Sequence, residues 1–267
     1  MSIEKTHVIF EFRSDLRTGG TELAPIYYPY KAIHFNLQNV KEYYMRMQNI
    51  SLPNSFYQIN SNYNTMIFRE RNSGDITTIE LTITIPQGNY TINELTAEMT
   101  TLMNAISSQG NTYSVSYDEK TGKINISYAG GASVNVDILS YVGGSTINPI
   151  IGAGEYEGED EFQDILATGT DMPNHYNLGL IDSVTVSTNI TSTNHLDFSS
   201  LLTIGVSVPI TQARGDRENY LNNDGYPIRI KVSSIDHVEM KLYDPYGKII
   251  DLNGLPISGK MVFYERE

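Results

Sequence analysis

Carboxylates are most densely grouped in the acidic, glycine-containing stretch Gly152–Asp164. The candidate metal ligands in this stretch are Glu155, Glu157, Glu159 and Asp160, because calcium takes carboxylate oxygens as ligands. Their spacing does not follow the Asp-x-Asp-x-Asp-Gly order that wraps calcium in a loop. Like charges this close together repel one another and stay in water. We therefore expect a solvated loop without a metal, with a calcium site at these four residues as the weaker alternative.

The remaining residue types used in catalysis do not form a known motif. The histidines, at His7, His34, His175, His195 and His237, lack the HExxH spacing of a zinc site. Neither the GxSxG motif of serine hydrolases nor a phosphate-binding glycine motif occurs, and without cysteine the chain has neither disulfides nor thiol catalysis. Two carboxylates could still meet in space as in a glycosidase, although the sequence favours no particular pair. We predict no catalytic residue, no cofactor and no enzymatic activity.

Three short motifs contain aspartate beside turn-forming residues. Arg214-Gly215-Asp216 matches the integrin-recognition tripeptide, but three letters carry little specificity, and a charged loop before Arg217 explains them. Asp244-Pro245-Tyr246-Gly247 has the proline and glycine of a tight turn. Asp251 to Gly254 is interpreted as a second turn, with calcium binding by the two aspartates as the minority interpretation.

Composition and length predict a globular chain. The 267 residues are 40% apolar and 18% charged, which favours one compact domain or one domain with an insertion. The formal charge of −13 repels a polyanion, so we expect no nucleic-acid partner. No apolar run approaches the ~18 residues of a membrane span, so we expect no membrane insertion.

Two-residue alternation of apolar and polar side chains recurs along the chain, as in antiparallel all-β proteins. It predicts strands around Val8–Phe12, Tyr44–Met47, Met66–Phe68, Ile79–Ile85, Val184–Val186, Ile204–Ile210, Ile228–Val232, Val238–Tyr243 and Met261–Tyr264. We therefore predict a mainly β fold.

One segment has helical spacing instead. Thr91 and Glu94 match a capping box, Leu95 to Ile106 carries apolar residues on one helical face, and Gly110 is the predicted stop. Hairpins are predicted before this helix, at Met66–Ile85, and after it, at Tyr113–Tyr128. Residues 62–150 are therefore predicted to form a small α+β domain inserted into a β domain made of residues 1–61 and 151–267.

Three sequence segments, taken in order along the chain, resemble the penton and minor capsid proteins of virophages, polinton-like viruses and related large double-stranded DNA viruses. They are Met47–Asn60, with its Pro-Asn-Ser corner; Ile85–Thr91, leading into the helix and the Tyr117–Ile124 hairpin; and Met240–Gly254, followed by a last strand near Tyr264. Together they span most of the chain.

The resemblance implies a single eight-stranded jelly roll with the α+β insert, and a virion protein that assembles as a pentamer at icosahedral fivefold vertices. Its implied partners are copies of itself, the neighbouring major capsid protein, and a spike or host-surface receptor. Its implied location is the virion capsid, made and assembled inside the host cell. The polar, glycine-containing residues Arg13–Thr21 further suggest that Met1–Gly20 is an arm that orders on assembly.

Two other functions fit the same residues. A jelly-roll module that binds carbohydrate or a receptor, as a spike or lectin does, would use the 19 tyrosines as binding platforms. A glycan hydrolase on a β scaffold would need one of the many carboxylate pairs to be catalytic. A double jelly roll of the hexon type is disfavoured, because the single helix would interrupt its first roll.

Overall fold

A computed structural model describes residues 4–16, 19–21, 23, 25–27, 33–34, 42–72, 78–139, 143–153, 162–191, 203–222, 228–230 and 234–266. The chain divides into two compact units. The first unit comprises Met1–Phe56 and Ile181–Glu267, and the second comprises Tyr57–Leu180. Each unit has its own hydrophobic core.

The described residues are mainly in antiparallel strands. In chain order these are β1 (Glu4–Arg13), β2 (Gly19–Gly20), β3 (Pro25–Tyr27), β4 (Ile33–His34), β5 (Glu42–Pro53), β6 (Thr65–Asn72), β7 (Thr78–Thr84), β8 (Asn111–Asp118), β9 (Lys123–Gly130), β10 (Ser133–Leu139), β11 (Phe162–Ile165), β12 (Thr170–Asp171), β13 (Ser183–Thr191), β14 (Thr203–Pro209), β15 (Arg217–Leu221), β16 (Ile228–Ile230), β17 (Ser234–Ile235), β18 (Val238–Tyr243) and β19 (Ser258–Arg266). The helices are α1 (Ile92–Ile106), α2 (Asn148–Ile151) and a 3-10 turn at Ser14–Leu16. The predicted mainly β fold is confirmed.

Two five-stranded antiparallel sheets form most of the first unit, which also contains a two-stranded sheet of β4 and β17. One has the order β1-β19-β5-β15, with β16 also paired to β5, and the other has the order β14-β13-β18-β3-β2. Alternate side chains of both sheets, such as Met45 and Phe263 from the first and Val186 and Met240 from the second, share one buried core. A core shared by two antiparallel sheets is the arrangement of a β-sandwich.

Residues 4–16 do not form the free arm that the sequence suggested. Strand β1 pairs with β19 from Glu4↔Arg266 to Arg13↔Ser258, with one irregularity near Thr6. Phe12 is buried in the core, and Ser14 is tied to Ile257 by backbone and side-chain hydrogen bonds of 2.8 and 2.9 Å. The arm hypothesis is therefore wrong for this segment, because its alternating apolar face is already packed within its own unit.

Helix α1 begins as its capping box predicts. The Thr91 hydroxyl accepts from the Glu94 amide at 3.3 Å, and the Glu94 carboxylate accepts from the Thr91 amide at 2.8 Å. Leu95, Met99 and Met103 lie on the buried face. No helix among the described residues is long and apolar enough to cross a membrane.

The predicted stop at Gly110 is wrong. The helix ends at Ile106 with Ser107 as its C-cap, and the Ser107 amide donates to the Met103 carbonyl at 3.1 Å. Directly after the helix, the Ser107 and Ser108 hydroxyls both donate to the Glu70 carboxylate. Gly110 has a φ of +69° and lies in the following turn.

Both predicted hairpins are present in the second unit. Strand β6 pairs with β7 within a four-stranded sheet of order β11-β10-β6-β7, and β8 pairs with β9 within a three-stranded sheet of order β12-β9-β8. Apolar side chains from these strands and from α1 form the second core, which includes Phe68, Met99 and Ile126.

The two compact units do not have the boundaries expected from the sequence. Residues 151–180 belong to the second unit, whereas the predicted insert ended at residue 150. Ile151, Ile165 and Met172 are buried in the core of that unit. Strand β11 extends its sheet by pairing with β10, and β12 pairs with β9. The later segment is therefore required to cover the hairpins that precede it.

Candidate functional site

The outer face of the β1-β19-β5-β15 sheet is the candidate site in the first unit. On β1 the side chains alternate, so Phe12 enters the core while Ile9, Glu11 and Arg13 remain exposed. The strand register aligns Glu11 with Lys260 of β19, then with Asn49 of β5 and Leu221 of β15. One row of side chains from four strands therefore crosses this face.

A groove of about 530 Å³ lies along these strands. Its polar lining includes Glu11, Arg13 and Lys260, and two leucines stand at opposite borders. Leu16, just after β1, is 66% exposed, and Leu221, at the end of β15, is 64% exposed. Both leucines line the same groove, which makes this face a candidate surface for contact with another protein.

Gly259 of β19 lies opposite the buried Phe12 of β1 in the strand register. A Cβ there would lie 2.5 Å from Cζ of Phe12 and 2.6 Å from the carbonyl oxygen of Asn49. Such distances are well inside van der Waals contact, so the sheet would have to shift. The bare backbone at this position lets Phe12 pack beneath β19.

Arg217 fixes β15 to the rest of the sheet. Its guanidinium donates from Nε to Oγ of Ser51 at 3.0 Å and from Nη2 to the carbonyl of Pro256 at 2.8 Å. Next to it, the buried Glu218 carboxylate accepts hydrogen bonds from the Thr211 amide at 2.6 Å and from the Gln212 amide. Charged side chains thus hold the border that displays Leu221.

The tripeptide Arg214-Gly215-Asp216 lies in an exposed tight turn between β14 and β15. The Asp216 amide donates to the Ala213 carbonyl at 3.1 Å, and Gly215 has a φ of +85°. The Gly215 amide also donates to the Asn54 carbonyl at 2.9 Å. The loop predicted before Arg217 is confirmed.

The other predicted turns are also present. The Asp244 carboxylate accepts from the amides of Tyr246 and Lys248 at 2.9 and 2.8 Å, and Asp251 accepts from the Asn253 amide at 2.8 Å. Backbone amides thus donate to Oδ1 of each of the two aspartates that the minority interpretation assigned to calcium.

The candidate calcium ligands Glu155, Glu157, Glu159 and Asp160 lie outside the described residues. Within the described part of the chain, no group of three histidine, aspartate or glutamate side chains is arranged to hold a metal ion. His175 and His237 are exposed, whereas His195 also lies outside the described residues. The calcium alternative therefore stays a prediction.

A buried carboxylate in the second unit was missed by the sequence analysis. Glu70 is fully buried and accepts hydrogen bonds from the loop after α1 and from strand β8. The donors are Oγ of Ser107 at 2.8 Å, the amide and Oγ of Ser108 at 2.8 and 2.6 Å, the Gln109 amide at 3.0 Å, Nδ2 of Asn111 at 2.9 Å and the Tyr113 hydroxyl at 2.7 Å. The signal was present, because Glu70 continues the inward phase of Met66 and Phe68.

Two carboxylates on neighbouring strands form a second missed cluster. Asp137 of β10 is in register with Asp164 of β11, and on its other side it is in register with Arg69 of β6. Only 4% of the Asp137 side chain is exposed, and among the described residues the nearest cation is Nη2 of Arg71, 3.6 Å from Oδ2. Burial and the adjacent Asp164 carboxylate raise the pKa of Asp137 to about 6.

Comparison with known proteins finds similarity in three dimensions. No protein-family model matches the chain. No curated protein matches it. The crystal structure of the mavirus penton protein aligns with 100% of this chain and 100% of its own, with 11% sequence identity and a TM-score of 0.48. The three sequence segments described above resemble penton proteins, the class named in that structure's description.

Proposed function

We propose that this chain is a structural protein of a virion and serves as the penton subunit, five copies of which close a capsid vertex. In this proposal the first unit is an eight-stranded jelly roll, and residues 57–180 are a domain inserted into it. Its partners are copies of itself, the neighbouring major capsid protein, and a spike or host-surface receptor. The sequence resemblance and the two β-rich units support the proposal.

The outer face of the β1-β19-β5-β15 sheet is the observation that carries it. A ring of identical subunits needs two different surfaces on each copy, which meet around the rotation axis. The borders of this sheet supply two such surfaces, because β1 is one edge strand and β15 lies at the other edge. Edge strands present backbone amides and carbonyls with which another chain can pair.

Apolar side chains mark both borders. Ile9 and Leu16 lie along or just after β1, and Leu221 ends β15. Burial of such a side chain stabilises an interface by roughly 1.5–3 kcal/mol. We therefore propose that the β1 border of one copy packs against the β15 border of the next.

Light scattering and negative-stain imaging of purified protein test this arrangement. We expect rings of five for the wild type, and monomers for Leu16→Asp and for Leu221→Asp. The matched control is Leu166→Asp, which changes a leucine that is 57% exposed in the second unit and should leave the rings intact. Circular dichroism establishes that each variant is folded.

Two results would count against the proposal. A wild type that stays monomeric under every assembly condition and binds a glycan array would favour the carbohydrate-binding alternative. Rings that survive both substitutions in the first unit would show that another surface joins the copies.

A further inference from the structure

We propose that Asp137 and Asp164 share one proton and form a pH-operated latch that holds strand β11 against β10. The latch belongs to the second unit and is independent of the interface proposed for the first. It would make the attachment of one sheet edge depend on acidity.

The position of the two carboxylates provides the first argument. Strand β11 has four residues and is the edge strand of its sheet. Register pairs from Val136↔Ile165 to Leu139↔Phe162 join it to β10, and Asp137↔Asp164 is an interior pair of that register. Like charges directly opposite each other on antiparallel strands destabilise the pairing. Two ionised carboxylates here would therefore push β11 away.

The hydrogen bonding of Asp137 provides the second argument. Its Oδ1 is buried and has no hydrogen-bond donor among the described residues, and the group beside it is another carboxylate. A buried acceptor without a donor is costly. A proton on either carboxyl removes the cost, since it converts two facing acceptors into a donor and an acceptor.

The surrounding charges favour a proton over a metal ion. Arg71 of β6 lies 3.6 Å from Asp137, and Arg69 of the same strand also acts on Asp137 electrostatically. Arg69 is itself engaged by Glu80 of β7, with Nε 2.9 Å from Oε1. Within the described part of the chain, a further titratable neighbour is the Tyr128 hydroxyl of β9, whose pKa is raised by burial and by Asp137. Two arginines beside the pair would repel a divalent cation, whereas a shared proton leaves one negative charge for them to neutralise.

The direction of the pH response follows from the pKa of Asp137. Burial and Asp164 raise it from 3.8 to about 6, so the folded chain holds this proton more tightly than the unfolded chain does. The stabilisation that this bound proton gives to the folded chain is complete below pH 3.8 and is lost as the pH rises through about 6. The latch is therefore closed in mild acid and weakened at neutral pH.

Release of β11 would change two surfaces. It would leave β10 as the new sheet edge, ready to pair with another strand. It would also detach the end of the acidic stretch Gly152–Asp164, because Asp164 is the last residue of that stretch.

Hydrogen–deuterium exchange of the full chain, corrected for the intrinsic pH dependence of exchange, tests the latch. We expect the protection of the β11 amides to fall at least ~10-fold between pH 5 and pH 7.5, which corresponds to one pKa unit. Asp164→Asn and Asp137→Asn place a neutral side chain at one member of the pair and should each abolish the pH dependence. The matched control is Asp171→Asn, which changes an exposed aspartate of β12 and should retain the wild-type profile.

Three outcomes would overturn the proposal. The first is protection of wild-type β11 that does not change between the two pH values. The second is a wild-type pH profile that persists in both Asp137→Asn and Asp164→Asn. The third is full recovery of protection at pH 7.5 on addition of Ca²⁺ alone, which would assign the pair to a cation. If one variant does not fold, the other variant and the wild-type profile still decide between the outcomes.

Discussion

The Tyr113 hydroxyl donates a hydrogen bond of 2.7 Å to Oε1 of Glu70 inside the core of the second unit. The two residues come from different sheets, since Tyr113 is on β8 and Glu70 is on β6. Phe68 packs edge to face against the same tyrosine, with ring centroids 5.4 Å apart. One carboxylate thus joins two sheets and the end of α1.

Glu70→Gln should destabilise the second unit by about 3 kcal/mol. The glutamine NH₂ group is a hydrogen-bond donor, and it would face groups that are themselves donors, so some of these buried donors would lose their acceptor. Urea unfolding monitored by circular dichroism gives the free energy of unfolding. The matched control is Glu98→Gln on α1, where the carboxylate is only half buried. A loss no larger than in this control would contradict the role assigned to Glu70.

Glu70 should also make stability fall in acid. Burial opposes ionisation, but the hydrogen bonds from Ser108, Tyr113, Ser107 and Asn111 outweigh it and hold the pKa of Glu70 below its ordinary value of 4.5. A carboxyl with a lowered pKa stabilises the fold above its unfolded pKa and loses that contribution as the pH falls through its folded pKa. We expect the difference in unfolding free energy between wild type and Glu70→Gln to shrink below pH 4.5. An unchanged difference in acid would refute this account.

Thr91→Ala should cost about 1 kcal/mol, because the capping hydroxyl satisfies an amide that the helix leaves without a partner. Thr91→Ser keeps the hydroxyl and should retain most of the stability. Thr101→Ala, at an exposed position within α1, is the control and should be neutral or slightly stabilising, since alanine is the better helix former. Thermal unfolding of the three variants checks the order.

Gly259→Ala should destabilise the first unit by about 1–3 kcal/mol, the usual cost of overpacking a tight site. The added methyl group would meet the Phe12 ring and the Asn49 carbonyl. Gly179→Ala is the matched control, because the nearest atom to its added Cβ lies at an ordinary 3.6 Å. Equal unfolding midpoints for the two variants would show that β19 has room at position 259.

Local patterns were sufficient to predict strands and the start of α1. Alternation at Met45 and Met47, for example, directly reports which face of β5 is buried. The capping box at Thr91 is equally local, because both of its partners lie within four residues.

Features that depend on distant pairing were not predictable in this way. The groove requires four strands to pair in the order β1-β19-β5-β15, and no local sequence pattern predicts the order of strands in a sheet. The extent of the second unit was underestimated because its last buried apolar residues, Ile165, Met172 and Leu180, are widely spaced in the sequence and show neither the strand nor the helix period. Glu70 was overlooked because a charged residue is normally assigned to the solvent side of a strand.

Strand β19 lies between β1 and β5, although it follows both by more than 200 residues in the sequence. During synthesis on a ribosome, β1 and β5 would emerge long before β19, the strand that pairs with both. All residues of the second unit, Tyr57–Leu180, would have been synthesised before β19. The second unit can therefore fold while translation continues. The first sheet closes only afterwards, so immature chains would lack the surface proposed to join neighbouring copies.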